Sequence, residues 1–232
     1  MYIGSGTSRN TVTAIVLVCS ILCVGFMMFS NAFLGFYLGI FNTRFIEKNC
    51  ANESVAQKIG LTDSDMHIVI DTLVTSVKKG TEPNATVTLN GNSTQFFSDS
   101  DKEGIANVSH TMILLRRLSY AFIGISLALF MMVLMEGRAV ILRNTLAVTW
   151  GIILIAGGTM YVYMQVNPEK FRDGFFEAVL TSGKPLSGWL AQIMNHAMLR
   201  SAFLMEICLF LIVQLLFLII VNGFTGTKKK KR

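Results

Sequence analysis

Hydrophobic positions along this chain gather into four long runs, separated by polar stretches of very unequal length. The runs cover Thr11–Phe41, Leu118–Met135, Leu146–Gln165 and Ser201–Val221. Crossing the hydrocarbon core as a helix takes roughly 20 apolar residues, and each run meets that length or comes close to it. Lipid cannot satisfy a free backbone amide, so each run is expected to be helical. The long polar stretch 42–117 carries its own patterning. Thr62 precedes Asp63 and Asp65 as an N-cap, then Met66, Val69, Ile70, Leu73 and Val77 recur at helical spacing until Gly80 ends the run. Thr86-Val-Thr-Leu and Thr94-Gln-Phe-Phe flank Asn90-Gly91, whose tolerance of positive backbone angles predicts a tight hairpin. Ser100-Asp-Lys-Glu103 reads as a capping box opening a helix that continues into the second span.

The other polar stretch, 166–200, is amphipathic. Asn167-Pro168-Glu169 starts a helix on which Phe171, Phe175 and Val179 share a face, the pattern of an element lying in the headgroup region. After Gly183-Lys184-Pro185, the spacing of Trp189, Leu190, Ile193, Met194 and Ala197 resumes and leads into the last span. The expected fold is an all-α membrane protein forming a single membrane domain. It has four transmembrane helices at about 11–41, 118–135, 146–165 and 201–221, a small extracytoplasmic helix-plus-hairpin cap over 42–117, and an interfacial helix within 166–200.

Composition agrees: 52% of residues are hydrophobic, 15% are charged, and mean hydropathy is +0.55. The first run is too long for a signal peptide and lacks a small-residue cleavage site, so it reads as a retained signal anchor. Arg9, Arg138, Arg143 and the tail Lys228 to Arg232 face one side, eight basic residues opposed only by Glu136. The stretches 42–117 and 166–200 balance twelve basic against twelve acidic residues. Basic loops stay inside, which predicts a multi-pass plasma-membrane protein with both termini cytoplasmic. The basic tail, 223–232, reads as a stop-transfer anchor on an anionic leaflet. In a eukaryote its Lys229-Lys230-Lys231-Arg232 ending would also fit a retrieval signal, and four Asn-x-Ser/Thr triplets, at Asn52, Asn84, Asn92 and Asn107, would be glycosylation acceptors.

Candidate chemistry is sparse. Cys19, Cys23 and Cys208 fall within spans and Cys50 stands alone outside, so neither a disulfide framework nor a metal site is expected. Phosphate-binding loops and nucleophile elbows are absent, and no cofactor and no nucleic-acid partner is expected. What remains is a stripe on the helix entering the second span: Glu103, Asn107, His110, Leu114 and Arg117. One reading is a solvated face with Arg116 and Arg117 reaching to headgroups. The other is a catalytic or headgroup-binding wall, with His110 as general base and a carboxylate one turn away fixing its tautomer. His196 and Arg200, one turn apart before the last span, form a second pair on the same side. Glu206, further into that span, is either functional or a neutral acid bonded to a neighbouring helix. With Gln214 on one helix it makes no transport pathway. His67 reads as a solvated surface residue.

The chain resembles the bacterial lipoprotein intramolecular transacylase (Lit) family of four-span membrane proteins. The resemblance rests on an ordered set of cues: Phe36-Tyr37 closing the first span, Phe45-Ile46-Glu47, Gly60-Leu61-Thr62-Asp63-Ser64-Asp65, Leu89-Asn90-Gly91, and Phe96-Phe97-Ser98 before the second span. It implies an acyl transfer at the outer leaflet, from the glyceryl sn-2 oxygen of a diacylglyceryl-cysteine to the α-amine of the same cysteine. Membrane lipids and lipidated lipoprotein N-termini would be the partners. His110, His196 and Glu103 would then be the catalytic candidates, with Arg117, Arg200 and Asn107 binding substrate. An ungapped alignment sets Gly104 where the family motif has its first histidine, and His110 reaches that position only with an insertion. The second family histidine would fall near Phe176 to Ala178. The alternative is a lipid- or partner-binding membrane protein without catalysis.

Overall fold

The computed structural model describes residues 5–89, 92–180 and 188–229. In chain order its elements are α1 (Ser5–Ile40), α2 (Thr43–Asn52), α3 (Val55–Ile59), α4 (Asp63–Lys79), β1 (Thr86–Leu89), β2 (Asn92–Gln95), α5 (Asp99–Met135), α6 (Ala139–Val166), α7 (Pro168–Leu180), α8 (Gly188–Ile193) and α9 (His196–Lys229). Four of these, α1, α5, α6 and α9, are long and apolar enough to cross a membrane. The protein is therefore an all-α multi-pass membrane protein with a two-stranded hairpin as its sheet among the described residues. The chain parts into two compact units, 1–34 with 118–159 and 207–232, and 35–117 with 160–206.

In the first unit, the spans lock through small and aromatic side chains. Val16, Val24, Val133, Leu142, Leu146 and Val221 form its buried core. Phe26 stacks on Phe122 with ring centroids 4.9 Å apart, and Phe130 meets Phe217 edge-on at 5.2 Å. The Ser126 hydroxyl donates to the Cys23 carbonyl at 2.9 Å, tying α5 to α1. Other hydroxyls, those of Ser20, Ser30 and Thr145, donate one turn back along their own helices, which satisfies them where water is scarce.

The second unit is built by local signals that the chain states clearly. Thr62 caps α4 by accepting from the Asp65 amide at 3.1 Å, and Gly80 closes it in the left-handed region at φ +74°. Met66, Val69, Ile70, Leu73 and Val77 are all buried, so the periodic stripe is the core face of α4. The strands pair antiparallel from Thr86↔Gln95 to Leu89↔Asn92, while the Asn90-Gly91 turn lies outside the described residues. Two short helices, α2 and α3, fill residues 43–59, where sequence periodicity predicts no element. Asn42 starts α2 by accepting from the Phe45 amide at 3.3 Å.

Two helix starts differ from expectation. The capping box of α5 is Ser98 with Asp101: the Asp101 amide donates to Ser98 Oγ at 3.2 Å and the Ser98 amide donates to Asp101 Oδ2 at 3.1 Å. Ser100 and Glu103 share the same three-residue spacing, but the reciprocal bonds form two residues earlier, where Asp101 is also buried. The approach to the last span is also broken. Asn195 separates α8 from α9 and caps α9 by accepting from the Met198 amide at 2.8 Å, so His196 is the first residue of α9.

Candidate functional site

The two polar stretches that charge balance assigns to one side share a core. Residues from Tyr37 to Met112 and from Ile193 to Ala202 are buried in one cluster. The join is specific. Trp189 of α8 packs edge-on against Phe96 and Phe97, with centroids 4.5 and 5.4 Å away, and its indole N–H donates to Asp101 Oδ2 at 3.3 Å. That carboxylate thus serves the α5 cap and anchors α8 together. Between α1 and α5, Arg116 donates to the Tyr37 hydroxyl at 2.9 Å and lies over its ring at 5.5 Å, so this arginine is drawn inward to an aromatic partner.

The stripe on α5 is an outward face. Glu103, Asn107, His110, Leu114 and Arg117 are all exposed, whereas Ile105, Val108, Ser109 and Met112 on the opposite side are buried. Glu103 and His110 lie seven residues apart on one continuous helix, about 10.5 Å of rise. His110 makes no hydrogen bond or ion pair among the described residues, to Glu103 or to His196. The His196 ring is half-buried at the start of α9, and Arg200 one turn on is exposed.

The histidine that does acquire a carboxylate partner is His67. Its Nδ1 meets Glu47 Oε1, joining α4 to α2 across twenty residues of sequence. This pair lies on the wall of a cavity of about 420 Å³ whose lining includes Cys50, Ser54, Gln57 and Asp63. Ser54 is the one non-glycine residue at positive φ among those described, at +52°, in the turn between α2 and α3. Burial pushes the Cys50 thiol up to about 12, helped by the nearby Glu47 charge, so it stays protonated at neutral pH and is no nucleophile. Sequence periodicity treats His67 as a solvated residue because nothing along the chain links it to Glu47. The link exists because the polar edges of two amphipathic helices meet.

The Glu47 hydrogen bond, with its charge, raises the His67 pKa above the usual 6.5. A raised folded-state value means that the pair stabilises the fold fully below about 6.5 and that this contribution fades as pH rises through the folded value. Ring-nitrogen NMR titration should therefore show His67 titrating above the usual 6.5 in the wild type. Glu47→Gln is expected to bring it back down, and an unchanged His67 titration in that variant would refute the pairing.

A second polar group sits within the span region. Both Glu206 carboxyl oxygens are buried without a hydrogen-bond partner among the described residues. The carboxyl rests on Gly35 of α1, and the neighbouring Met205 methyl rests on Gly39. Gly35-x-x-x-Gly39 thus forms a notch in α1 that lets α9 approach closely, the use small residues have in membrane helix packing.

These features define a class: a four-span membrane protein with a folded cap built from two polar segments of the chain. No family model matches the sequence and no curated protein matches it. Three solved structures share its fold. The structure of the membrane integral lipoprotein intramolecular transacylase Lit from Bacillus cereus superposes with a TM-score of 0.70 at 12% identity, covering 94% of this chain and 99% of that one. Two further Lit structures from the same organism carry a histidine replaced by alanine or by arginine. They give TM-scores of 0.70 and 0.69 at 11% identity, with at least 96% of each chain covered in the first and 97% in the second. The fold of this chain is that of Lit.

Proposed function

We propose that this protein acts on the lipidated amino terminus of lipoproteins, moving the sn-2 acyl chain of a diacylglyceryl-cysteine to the α-amine of the same cysteine. The observation that supports this reading is the fold correspondence with Lit, which runs through the cap as well as the spans. The charge asymmetry of the loops supports a cap at the outer leaflet and both termini in the cytoplasm. The reaction asks little of a protein, since ester and amine are tethered in one molecule and the product amide is more stable. A base must take a proton from the α-ammonium, donors must stabilise the oxyanion, and an acid must protonate the departing alkoxide. In this reading His110 and His196 move the protons and Glu103 supplies negative charge on the same face of α5 as His110. Arg117, Arg200 and Asn107 hold headgroup and oxyanion. Mass spectrometry of lipoprotein N-termini should show N-acyl, lyso-glyceryl species in cells carrying the protein. They should be lost without it and sharply reduced by His110→Ala, and an identical acylation pattern in all three strains sinks the proposal.

A second reading is binding of lipidated N-termini without turnover. Its support is that neither the His110 nor the His196 ring has a polar partner among the described residues, and that Gly104 occupies the position of the family's motif histidine. A Cβ at Gly104 would meet nothing within 4 Å, so a side chain is accommodated there. Transfer activity absent in the wild type and gained by Gly104→His would decide for this reading.

A further inference from the structure

We propose that the cavity between α2, α3 and α4 is a binding site for a primary ammonium group, with the His67–Glu47 pair as its proton-sensitive wall. This goes beyond acyl transfer and stands without it. The cavity, about 420 Å³, is large enough for a small headgroup, and its polar lining is donated by three separate elements. From α2 comes Glu47, and from α3 comes Gln57, with Ser54 in the turn between them. From α4 come Asp63 and His67, with Asp71 close enough to influence the imidazole.

Charge selects the ligand. Two carboxylates against one titrating imidazole keep the cavity negative in either state of the ring, within a chain whose net charge is +6. Neighbouring acceptors, the Ser54 hydroxyl and the Gln57 carboxamide oxygen, suit a group with several N–H donors, which an ammonium has and a quaternary amine lacks. The Nδ1–H of neutral His67 donates to Glu47, which leaves Nε2 with a lone pair available to accept from such a ligand. Position favours a lipid-linked ammonium. Glu47 lies in the helix that follows α1 after two residues, so the cavity stands close to the end of a membrane span.

Protonated His67 would repel an ammonium and offer it no acceptor. Binding is therefore strongest when His67 is neutral, and affinity rises with pH through the His67 titration until the amine itself loses its proton. This dependence is what a merely structural ion pair would not produce.

The same ammonium chemistry is carried by the α-amine of a diacylglyceryl-cysteine and by an ethanolamine headgroup, and the test separates them. Full-length protein in phosphatidylcholine nanodiscs is titrated with a diacylglyceryl-cysteine peptide, free or N-acetylated, and with short-chain phosphatidylethanolamine against the matching phosphatidylcholine. We expect the free amine of at least one pair to bind roughly tenfold more tightly than its blocked counterpart, as one charge-assisted contact implies. Whichever pair shows it names the source. The preference should grow from pH 6 to pH 8 and fall to within about twofold in Glu47→Gln, as expected when that contact is lost. If Glu47→Gln fails to fold, Asp63→Asn serves in its place. Equal binding within both pairs, or a preference that survives Glu47→Gln and Asp63→Asn together, overturns the site.

Discussion

Leu73→Ala is expected to open the cap many times more often than in the wild type. Leu73 is 3% exposed in the middle of the shared core, and removing its isobutyl group loses transfer free energy and leaves a hole its neighbours fill incompletely. The cost should be about 2–5 kcal/mol. A reporter for this is already present. The Cys50 thiol is buried in the same core, donating weakly to the Ile193 carbonyl, so a thiol reagent reaches it when the cap opens. At the lower end of that range the labelling rate should rise about 30-fold. Ile68→Ala, at a position on the same helix that is 42% exposed, should leave the rate nearly unchanged. Equal labelling in the two variants would mean that α4 does not present the face described.

Gly35→Ala should also be costly, for a different reason. A methyl group there enters the space held by the Glu206 carboxyl, so either the helices part or the acid is forced from its slot. Overpacking of this kind costs about 1–3 kcal/mol. The diagnostic result lies in the pair: Glu206→Ala vacates the notch, and Gly35→Ala should then be tolerated. A double-mutant cycle on thermal unfolding in detergent is expected to give a coupling of at least about 1 kcal/mol. If the two effects add within about 0.5 kcal/mol, the close approach at Gly35 is wrong.

Both experiments bear on how much of this molecule can be read along its chain. The spans are legible because the bilayer permits so little else, and α4 is legible because Thr62, five apolar positions and Gly80 all state the same helix. The hairpin strands follow from two short β-rich segments, although the exposed β2 gives them little to bury. The elements that local patterning does not encode share a cause. α2 and α3 are short, and their core residues, Ile46, Cys50, Val55 and Ala56, follow no single helical period because a left-handed Ser54 resets the phase between them. Spacing alone allows the α5 cap at Ser100 and Glu103 as readily as at Ser98 and Asp101, and burial against Trp189 makes the choice. The His67–Glu47 pair and the Glu206–Gly35 contact are long-range meetings that no local periodicity encodes. The stripe from Glu103 to Arg117 was legible as a stripe. What it does was not, since an exposed polar face looks the same whether it meets water, headgroups or a substrate.

The discontinuous make-up of the cap core also sets a schedule for biosynthesis. Its early strand of residues ends with Met112 and its late contribution begins at Ile193. About 80 residues, including most of two membrane helices, must be translated in between, roughly 4–16 s at ordinary elongation rates. Throughout that interval the apolar faces of α2 and α4 lack the segment that closes over them, and the seat for Trp189 beside Asp101 waits for its ring. A nascent chain halted before Ile193 would hold an unfinished cap, which makes this domain a late-maturing one whose completion waits for the first turns of α9.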